Sequence, residues 1–363
     1  MRFSDEFRDE SLVREAALRL REYEGTAATI MEVCGTHTMS AARFGLRSLL
    51  PEGISLISGP GCPVCVTDQR DIDAFLAIGG CDGVVLCTFG DMVRVPGSYT
   101  SLERLRAEGA DVRVVYSPSD AIDIAAENPS RDVVFFGVGF ETTVPATAAA
   151  IRSANQAQLR NFYVYSCHKT MPPALRALLA SGETAVSGLL LPGHVTTIIG
   201  SRAYEFIPRE FGVPCAVAGF EPLDMLLGIE AILRQIAEKN PRVDNAYKRA
   251  VKEQPNERAC ELINDVFVPC DSVWRGIGTI AESGLEIAPK YSAFDAKKRF
   301  SELVESIRPT MNTSCRCGDV LRGAIKPGEC ALFGTTCTPA TPVGPCMVSS
   351  EGACAAAYKY GDL

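Results

Sequence analysis

The sequence has no run of basic residues and no long apolar segment. The chain of 363 residues carries a net charge of −8, which gives no electrostatic basis for binding nucleic acid or an anionic membrane. No stretch reaches the roughly 18 apolar residues of a membrane-spanning helix, and the charged N-terminal stretch is unlike a signal peptide. We therefore expect a cytoplasmic protein that binds neither nucleic acid nor a membrane.

Standard nucleotide-binding motifs are also missing. The sequence contains no GxxxxGK[ST] and no GxGxxG, and the stretch GVGFET at 137–142 lacks the third glycine. A nucleotide-using enzyme is therefore weakly supported, although α/β domains could accommodate a nucleotide.

Short β-branched runs alternate with helical patterns between residues 26 and 240. Such alternation predicts an α/β fold with parallel sheets covered by helices. The length favours two parallel-sheet α/β domains that divide near residue 115 to 120, followed by a cysteine-rich C-terminal region. The predicted strands are Ala28–Cys34, Ser55–Ser58, Gly83–Thr88, Val112–Tyr116, Val133–Val138, Phe162–Ser166, Gly188–Leu191 and Ala216–Gly219.

The pattern predicts five segments along the chain. They are an N-terminal helix (1–25), α/β domain I (26–118), α/β domain II (119–240), a helical connecting region (241–312) and a cysteine-rich C-terminal region (313–363). The last segment is rich in Cys, Gly and Pro and cannot bury enough apolar surface to hold itself together, so something else must organise it.

Cysteine is unusually frequent, with fifteen residues against only three histidines. A reducing compartment disfavours a disulfide framework, so metal binding or redox chemistry is the better expectation. Ligands of parallel α/β sheets bind at the carboxyl ends of the strands. The residues that follow predicted strands, and that we expect to share a cleft, include Cys34, His37, Cys62, Cys65, Glu141, Thr142, His194 and Glu221.

Local spacing leaves the roles of these residues open. Cys34 and His37 suit a soft or borderline metal, but the same turn could simply begin a helix. Cys62 and Cys65 form a CxxC pair near a helix start, which favours thiol–disulfide exchange; a zinc site of two CxxC pairs is disfavoured, because the sequence has no second CxxC. Glu141 could act as a general base, a ligand anchor or a solvated carboxylate.

Six further cysteines crowd the C-terminal tail, where the ferredoxin spacing is absent. An iron–sulfur cluster tolerates long loops between its four thiolates, whereas a zinc ribbon needs two close pairs. Zinc remains the rival metal. The six are Cys315, Cys317, Cys330, Cys337, Cys346 and Cys354.

Several long motifs together resemble the HypD family of [NiFe]-hydrogenase maturation proteins. They are CGTHT (34–38), GPGCPVC (59–65), GFETT (139–143), PGHV (192–195), GFEP (219–222) and the tail CRCGDVLRG, CALFGTTCTP and GPCMVSSEGACAAAYKYG. The resemblance covers nearly the whole chain, without departure at the cysteine and histidine positions of these motifs.

The resemblance implies specific site residues. The family's cluster spacing, Cx14Cx6Cx16C, assigns a [4Fe-4S] cluster to Cys315, Cys330, Cys337 and Cys354, which leaves Cys317 and Cys346 for a thiol relay. It also implies that Cys34, with His37 beside it, holds the iron that acquires two cyanides and one carbon monoxide. Cys62 and Cys65 are then a redox pair that serves this iron.

The resemblance further implies partners and a role. HypD-like proteins form a scaffold with the small chaperone HypC, and HypE delivers the cyanide groups. We therefore expect a redox-active assembly scaffold for Fe(CN)2CO rather than a conventional turnover enzyme. The alternative is a stand-alone thiol–disulfide oxidoreductase with a structural zinc site.

Overall fold

Eleven strands form two parallel sheets and one antiparallel hairpin in the computed structural model, which describes residues 5–182, 185–310 and 314–361. The strands are β1 (Ala28–Glu32), β2 (Ile54–Ser58), β3 (Val84–Thr88), β4 (Val112–Val114), β5 (Asp132–Gly137), β6 (Phe162–Ser166), β7 (Gly188–Pro192), β8 (Cys215–Ala218), β9 (Val243–Asn245), β10 (Phe267–Trp274) and β11 (Gly278–Ile287). The helices are α1 (Glu10–Arg21), α2 (Gly35–Arg43), α3 (Pro63–Val66), α4 (Gln69–Ile78), α5 (Leu102–Ala107), α6 (Pro118–Glu127), α7 (Val144–Gln156), α8 (Met171–Ser181), α9 (Gly193–Ile199), α10 (Pro222–Glu238), α11 (Glu257–Val266), α12 (Ala296–Arg299), α13 (Ser301–Ser306), α14 (Cys317–Leu321) and α15 (Ala353–Tyr360).

The two parallel sheets have the strand orders β2-β1-β7-β8-β9 and β4-β3-β5-β6. Every residue of β3, β6 and β7 is buried, as expected when helices cover both faces of a parallel sheet. Polar caps start the covering helices: Ser117 and Asp120 form a capping box on α6, and Asp68 caps α4. The α/β class with parallel sheets is confirmed, and β1 to β8 appear where the sequence predicts strands.

The strands of the two sheets do not divide along the chain near residue 118. The first sheet takes β1 and β2 from the N-terminal part and β7 to β9 from a later part, while β3 to β6 form the second sheet. Alternation of strands and helices indicates parallel pairing, but it does not reveal which strands become neighbours. The predicted division between 26–118 and 119–240 therefore does not coincide with the sheets.

The sequence predicts a helical region for 241–312, but the structure also contains β9 and the β10–β11 hairpin there. The two strands of the hairpin pair in antiparallel register from Phe267 opposite Ile287 to Trp274 opposite Gly278. Burial alternates along most of β10, the pattern of a strand with one covered face. Charged residues along the preceding stretch favoured the helical interpretation, which holds for α11, α12 and α13.

One apolar cluster joins both sheets and the tail. It includes Met31 and Leu189 of the first sheet, Leu86 and Phe136 of the second, and Cys346 of the tail. Helix α15 packs on α2, and the 3₁₀ turn Pro345–Met347 packs on α3. The tail therefore packs against both loop motifs instead of forming a separate unit. In the described part of the chain, no helix combines the length and apolar character needed to cross a membrane.

Candidate functional site

The CGTHT and GPGCPVC loops lie against each other at one edge of the first sheet. β1 and β2 pair in parallel, with Glu32 opposite Ser58, so both loops leave from the same ends of neighbouring strands. The Gly35 amide donates to the carbonyl of Gly61 at 2.9 Å. A Cβ on Gly61 would lie only 2.2 Å from the backbone nitrogen of Cys34. The sequence therefore brings Cys34 next to the CxxC loop through strand pairing and a glycine contact.

This close contact predicts a structural cost for Gly61→Ala. The added methyl group must displace the backbone at Cys34, and overpacking of this kind typically costs about 1–3 kcal/mol. We expect a lower free energy of unfolding, measured by urea denaturation. Gly80→Ala is the matched control, because its nearest neighbour would lie at 3.4 Å. A Gly61→Ala protein as stable as the Gly80→Ala protein would contradict the prediction.

Cys62 and Cys65 are joined by a disulfide bond. Cys62 is the N-cap of α3, and its Sγ accepts a hydrogen bond from the Cys65 amide at 3.1 Å. Both residues are buried. A CxxC disulfide at a helix N-terminus is a geometry that supports thiol–disulfide exchange, so the predicted redox role keeps its structural basis.

Cys34 and His37 lie on the first turn of α2. Burial raises the pKa of the Cys34 thiol to about 12, and burial lowers the pKa of His37 to about 4. The His37 Nε2–H donates to the Gly219 carbonyl at 2.9 Å, while Nδ1 has no hydrogen-bond partner among the described residues. A neutral imidazole anchored through one nitrogen, with a free lone pair on the other, suits a metal ligand.

Glu32 is a residue of this site that the sequence analysis missed. Its fully buried carboxylate accepts hydrogen bonds from the Cys34 amide at 3.2 Å and from the Thr38 hydroxyl. Burial raises the pKa of Glu32 to about 7. The available signal is a carboxylate within the otherwise apolar run ATIMEV, which is unusual unless the carboxylate has specific partners.

The other predicted cleft residues gather only in part. The ring of His194 stacks near Phe220 with 3.9 Å between centroids, and Phe220 also contacts His37 at 4.8 Å. Glu221 accepts a hydrogen bond from Arg8 Nη2 at 2.8 Å. Thr142 is exposed. His194 therefore shares the surroundings of His37, whereas Glu221 joins the N-terminal segment to α10.

Glu141 is buried at the end of the second sheet. Its Oε1 accepts from the Met171 amide at 2.8 Å, and its Oε2 has no partner among the residues that the structure describes. The buried hydroxyl of Tyr204 is close enough to Glu141 and to Cys34 for both to act on it electrostatically. Tyr204 thus connects the surroundings of Glu141 with those of Cys34, and no motif in the sequence pointed to it.

The buried Glu141 carboxyl predicts a pH-dependent stability. Burial raises the pKa of Glu141 from 4.5 to about 7, so the folded protein binds more protons between these values. Stability must then fall as the pH rises through about 7, by up to roughly 3 kcal/mol. Urea denaturation from pH 5 to 8 should show this loss of stability. Glu141→Gln should remove the contribution of Glu141 to the pH dependence. The exposed control Glu52→Gln should leave the pH dependence unchanged; equal profiles for both variants would contradict the prediction.

All six cysteines of the tail line one small cavity. The thiols of Cys315, Cys317 and Cys346 are close enough to act on one another electrostatically, and the Val343 amide donates to Cys337 Sγ at 3.4 Å. The rest of the lining is mostly apolar, from Val320, Leu332, Phe333 and Met347. Among the described residues, no three Cys, His, Asp or Glu side chains are arranged to hold a single metal ion.

The tail cavity lies beside the two loop motifs. Cys346 belongs to the 3₁₀ turn that packs on α3, and Glu351 Oε1 accepts from the Thr36 hydroxyl at 2.6 Å. The thiols of the tail, the CxxC pair and the Cys34 turn therefore belong to one continuous packed region, although they are far apart in the sequence.

Comparisons with known proteins agree with this arrangement. The profile described as "HypD: Hydrogenase formation hypA family" matches residues 11–361. The chain belongs to the HypD family. It is 46% identical over 371 residues to the hydrogenase maturation factor HypD2 of Bradyrhizobium diazoefficiens, covering 99% of this chain and 97% of the relative. It is 46% identical over 373 residues to the hydrogenase maturation factor HypD of Escherichia coli K12, covering 99% and 98%.

Family membership confirms the resemblance that the motifs carry. The match extends through α2, α3 and the cysteine-rich tail of this HypD-family protein. The roles of individual residues remain predictions, which the local geometry supports to different degrees. It supports Cys34, His37 and the CxxC pair most directly, and Thr142 least.

Proposed function

We propose that this HypD-family protein is a [NiFe]-hydrogenase maturation factor, a scaffold and redox protein on which Fe(CN)2CO is assembled. Its relatives are named hydrogenase maturation factors. The observation that carries the proposal is the convergence of the Cys34 turn, the Cys62–Cys65 disulfide and the tail thiols in one packed region.

Cys34 and His37 are the proposed ligands of the cargo iron. Low-spin iron with cyanide and carbon monoxide favours soft thiolate ligands, and imidazole is a common companion. The free Nδ1 of His37 supports this role. Because burial raises the pKa of Cys34 to about 12, binding of the iron must displace the thiol proton. Two ligands leave the iron site open, which suits completion by a thiolate of a HypC-type chaperone.

The tail cavity is the proposed site of a [4Fe-4S] cluster. Four of its thiols, Cys315, Cys330, Cys337 and Cys354, have the family spacing and line the same cavity. The lining is mostly apolar, and an amide donor to Cys337 Sγ is of the kind that tunes cluster thiolates. When bound, the cluster would supply one-electron redox chemistry to the neighbouring thiols.

Cys317 and Cys346 are the proposed thiol relay. Both residues line the tail cavity together with the predicted cluster ligand Cys315, and Cys346 sits on the turn that packs against α3. Thiol–disulfide exchange proceeds through attack of one sulfur on another, so neighbouring thiols on this path support transfer of reducing equivalents to the Cys62–Cys65 disulfide. The cyanide groups would come from a HypE-type donor protein.

Metal analysis of the anaerobically purified protein separates this proposal from a thiol oxidoreductase with structural zinc. We expect about four iron atoms and four acid-labile sulfides per chain, with the electron paramagnetic resonance signal of a reduced [4Fe-4S] cluster. Cys337→Ser should lose the signal, while Cys81→Ser, outside the tail cavity, should retain it. Zinc without iron and sulfide would instead favour the oxidoreductase.

A further inference from the structure

The tip of the β10–β11 hairpin contacts the end of α3, directly after the CxxC pair. The backbone amide of Arg275 donates to the Val66 carbonyl at 2.9 Å, and its Nε donates to the Thr67 carbonyl at 2.9 Å. Its Nη2 donates to Gln69 Oε1 at 2.8 Å. One residue therefore satisfies two carbonyls at the end of the short helix and also holds the start of α4.

The same hairpin tip contacts the tail from its other side. Gly276 has φ +75°, and a Cβ there would lie 2.2 Å from the Cα of Gly318. Arg275, Cys315 and Cys317 line a second cavity. The guanidinium is also close enough to act electrostatically on the thiols of Cys315, Cys317 and Cys346. Arg275 thus lies between the CxxC helix and the tail thiols.

The charge of Arg275 is buried without a carboxylate partner among the residues described. Only 8% of the residue is exposed, and the acceptors of its side chain are a backbone carbonyl and an amide oxygen. A buried cation without a counter-charge is costly, and nearby negative charge lowers that cost. Reduced sulfur atoms can carry negative charge, whereas a disulfide cannot.

We propose that Arg275 is a positioning residue that aligns α3 with the tail thiols and favours reduction of the Cys62–Cys65 disulfide. This inference rests on the proposed redox function of that pair. In the step concerned, a dithiol gives up two electrons and two protons and becomes a disulfide, while the Cys62–Cys65 bond breaks and both sulfurs become thiols. Arg275 exchanges no electrons in this step, because its hydrogen bonds only hold the backbone that follows Cys65 and the start of α4, and its charge acts on nearby thiols only electrostatically.

The redox equilibrium of the Cys62–Cys65 pair tests the inference directly. The full-length protein is equilibrated anaerobically in dithiothreitol buffers of graded redox ratio, trapped with an alkylating reagent and digested with trypsin. The tryptic peptide 48–70 contains these two cysteines and no others, so its mass reports the state of this pair alone. We expect Arg275→Gln to lower the equilibrium constant for reduction about tenfold, which corresponds to about 30 mV.

Three further variants separate charge from general loosening of the fold. Arg275→Lys keeps the charge, and its equilibrium constant for reduction should stay within about threefold of that of the parent protein. Gln69→Glu places a carboxylate against Nη2 of Arg275 and should lower the constant even though the arginine remains, so it decides the matter if Arg275→Gln does not fold. Arg322→Gln removes a charge that contacts the hairpin at Gly276 and forms an ion pair with Asp319, and it should leave the equilibrium constant for reduction unchanged.

Two results would overturn the inference: an unchanged constant in Arg275→Gln or Gln69→Glu, or an equal shift in Arg322→Gln. Failure of the underlying function is recognised separately. If the Cys62–Cys65 pair of the parent protein cannot be cycled between disulfide and dithiol at all, the proposed redox role itself is wrong. If the parent cycles and the Arg275 variants match it, only the inference about Arg275 fails.

Discussion

Replacing Cys34 with alanine is expected to remove the cargo iron completely while leaving the cluster in place. The thiol is the only soft ligand on the α2 turn, and His37 alone offers a single imidazole nitrogen to the metal. Iron analysis of the complex with a HypC-type partner should therefore fall by about one iron per chain, with acid-labile sulfide unchanged. Cys34 is buried at the start of α2, and alanine removes only its sulfur.

A second buried cysteine supplies the matched control for this prediction. Cys215 lies in β8 of the same sheet and is fully buried, and we assign it no role in the site. Cys215→Ala removes the same sulfur atom and should retain the full iron content of the complex. Retention of the cargo iron by Cys34→Ala would show that the metal is held elsewhere, and loss of both iron and sulfide would indicate a collapsed fold instead.

Replacing either Cys62 or Cys65 with serine is expected to abolish hydrogenase maturation without loss of the fold or the cluster. No disulfide can form in either variant, so thiol–disulfide exchange at α3 stops. In Cys62→Ser the hydroxyl can still accept the hydrogen bond that the Cys65 amide gives to the N-cap. Maturation activity in a host that lacks its own HypD-type factor should drop to background.

The structural state of the serine variants decides between a redox role and a structural role. We expect unchanged iron and sulfide contents and the melting temperature of a protein whose disulfide has been chemically reduced. Loss of the cluster in either variant would argue that the Cys62–Cys65 bond holds α3 against the tail turn Pro345–Met347. Full maturation activity in both variants would show that Cys62 and Cys65 have no essential redox role.

Local sequence patterns predicted the strands and the loops of the site well. The runs of β3, β6 and β7 are buried throughout and mostly apolar, so their identity as parallel strands did not depend on distant contacts. Cys34 and the CxxC pair follow strands that proved to be neighbours, and this pairing brought the two motifs together. The pairing itself was not predictable, because β1 also pairs with the distant β7.

Long-range polar contacts account for most of what the sequence did not reveal. Arg275 reaches Thr67 across a separation of 208 residues, and nothing near either residue indicates the contact. Glu32 and Tyr204 are buried polar residues, and their importance depends on the neighbours that folding supplies. The prediction that 241–312 is helical is wrong at β10. This strand is buried on one face only, and that burial depends on the parts of the protein that cover the hairpin.

Infrared spectroscopy of the purified complex with a HypC-type partner tests the central claim most directly, because cyanide and carbon monoxide bound to iron absorb where proteins do not. The account predicts two cyanide bands and one carbon monoxide band in the complex of the parent protein, and none in the complex of Cys34→Ala. A parent complex that holds iron but shows no such bands, or bands that persist without Cys34, would contradict it.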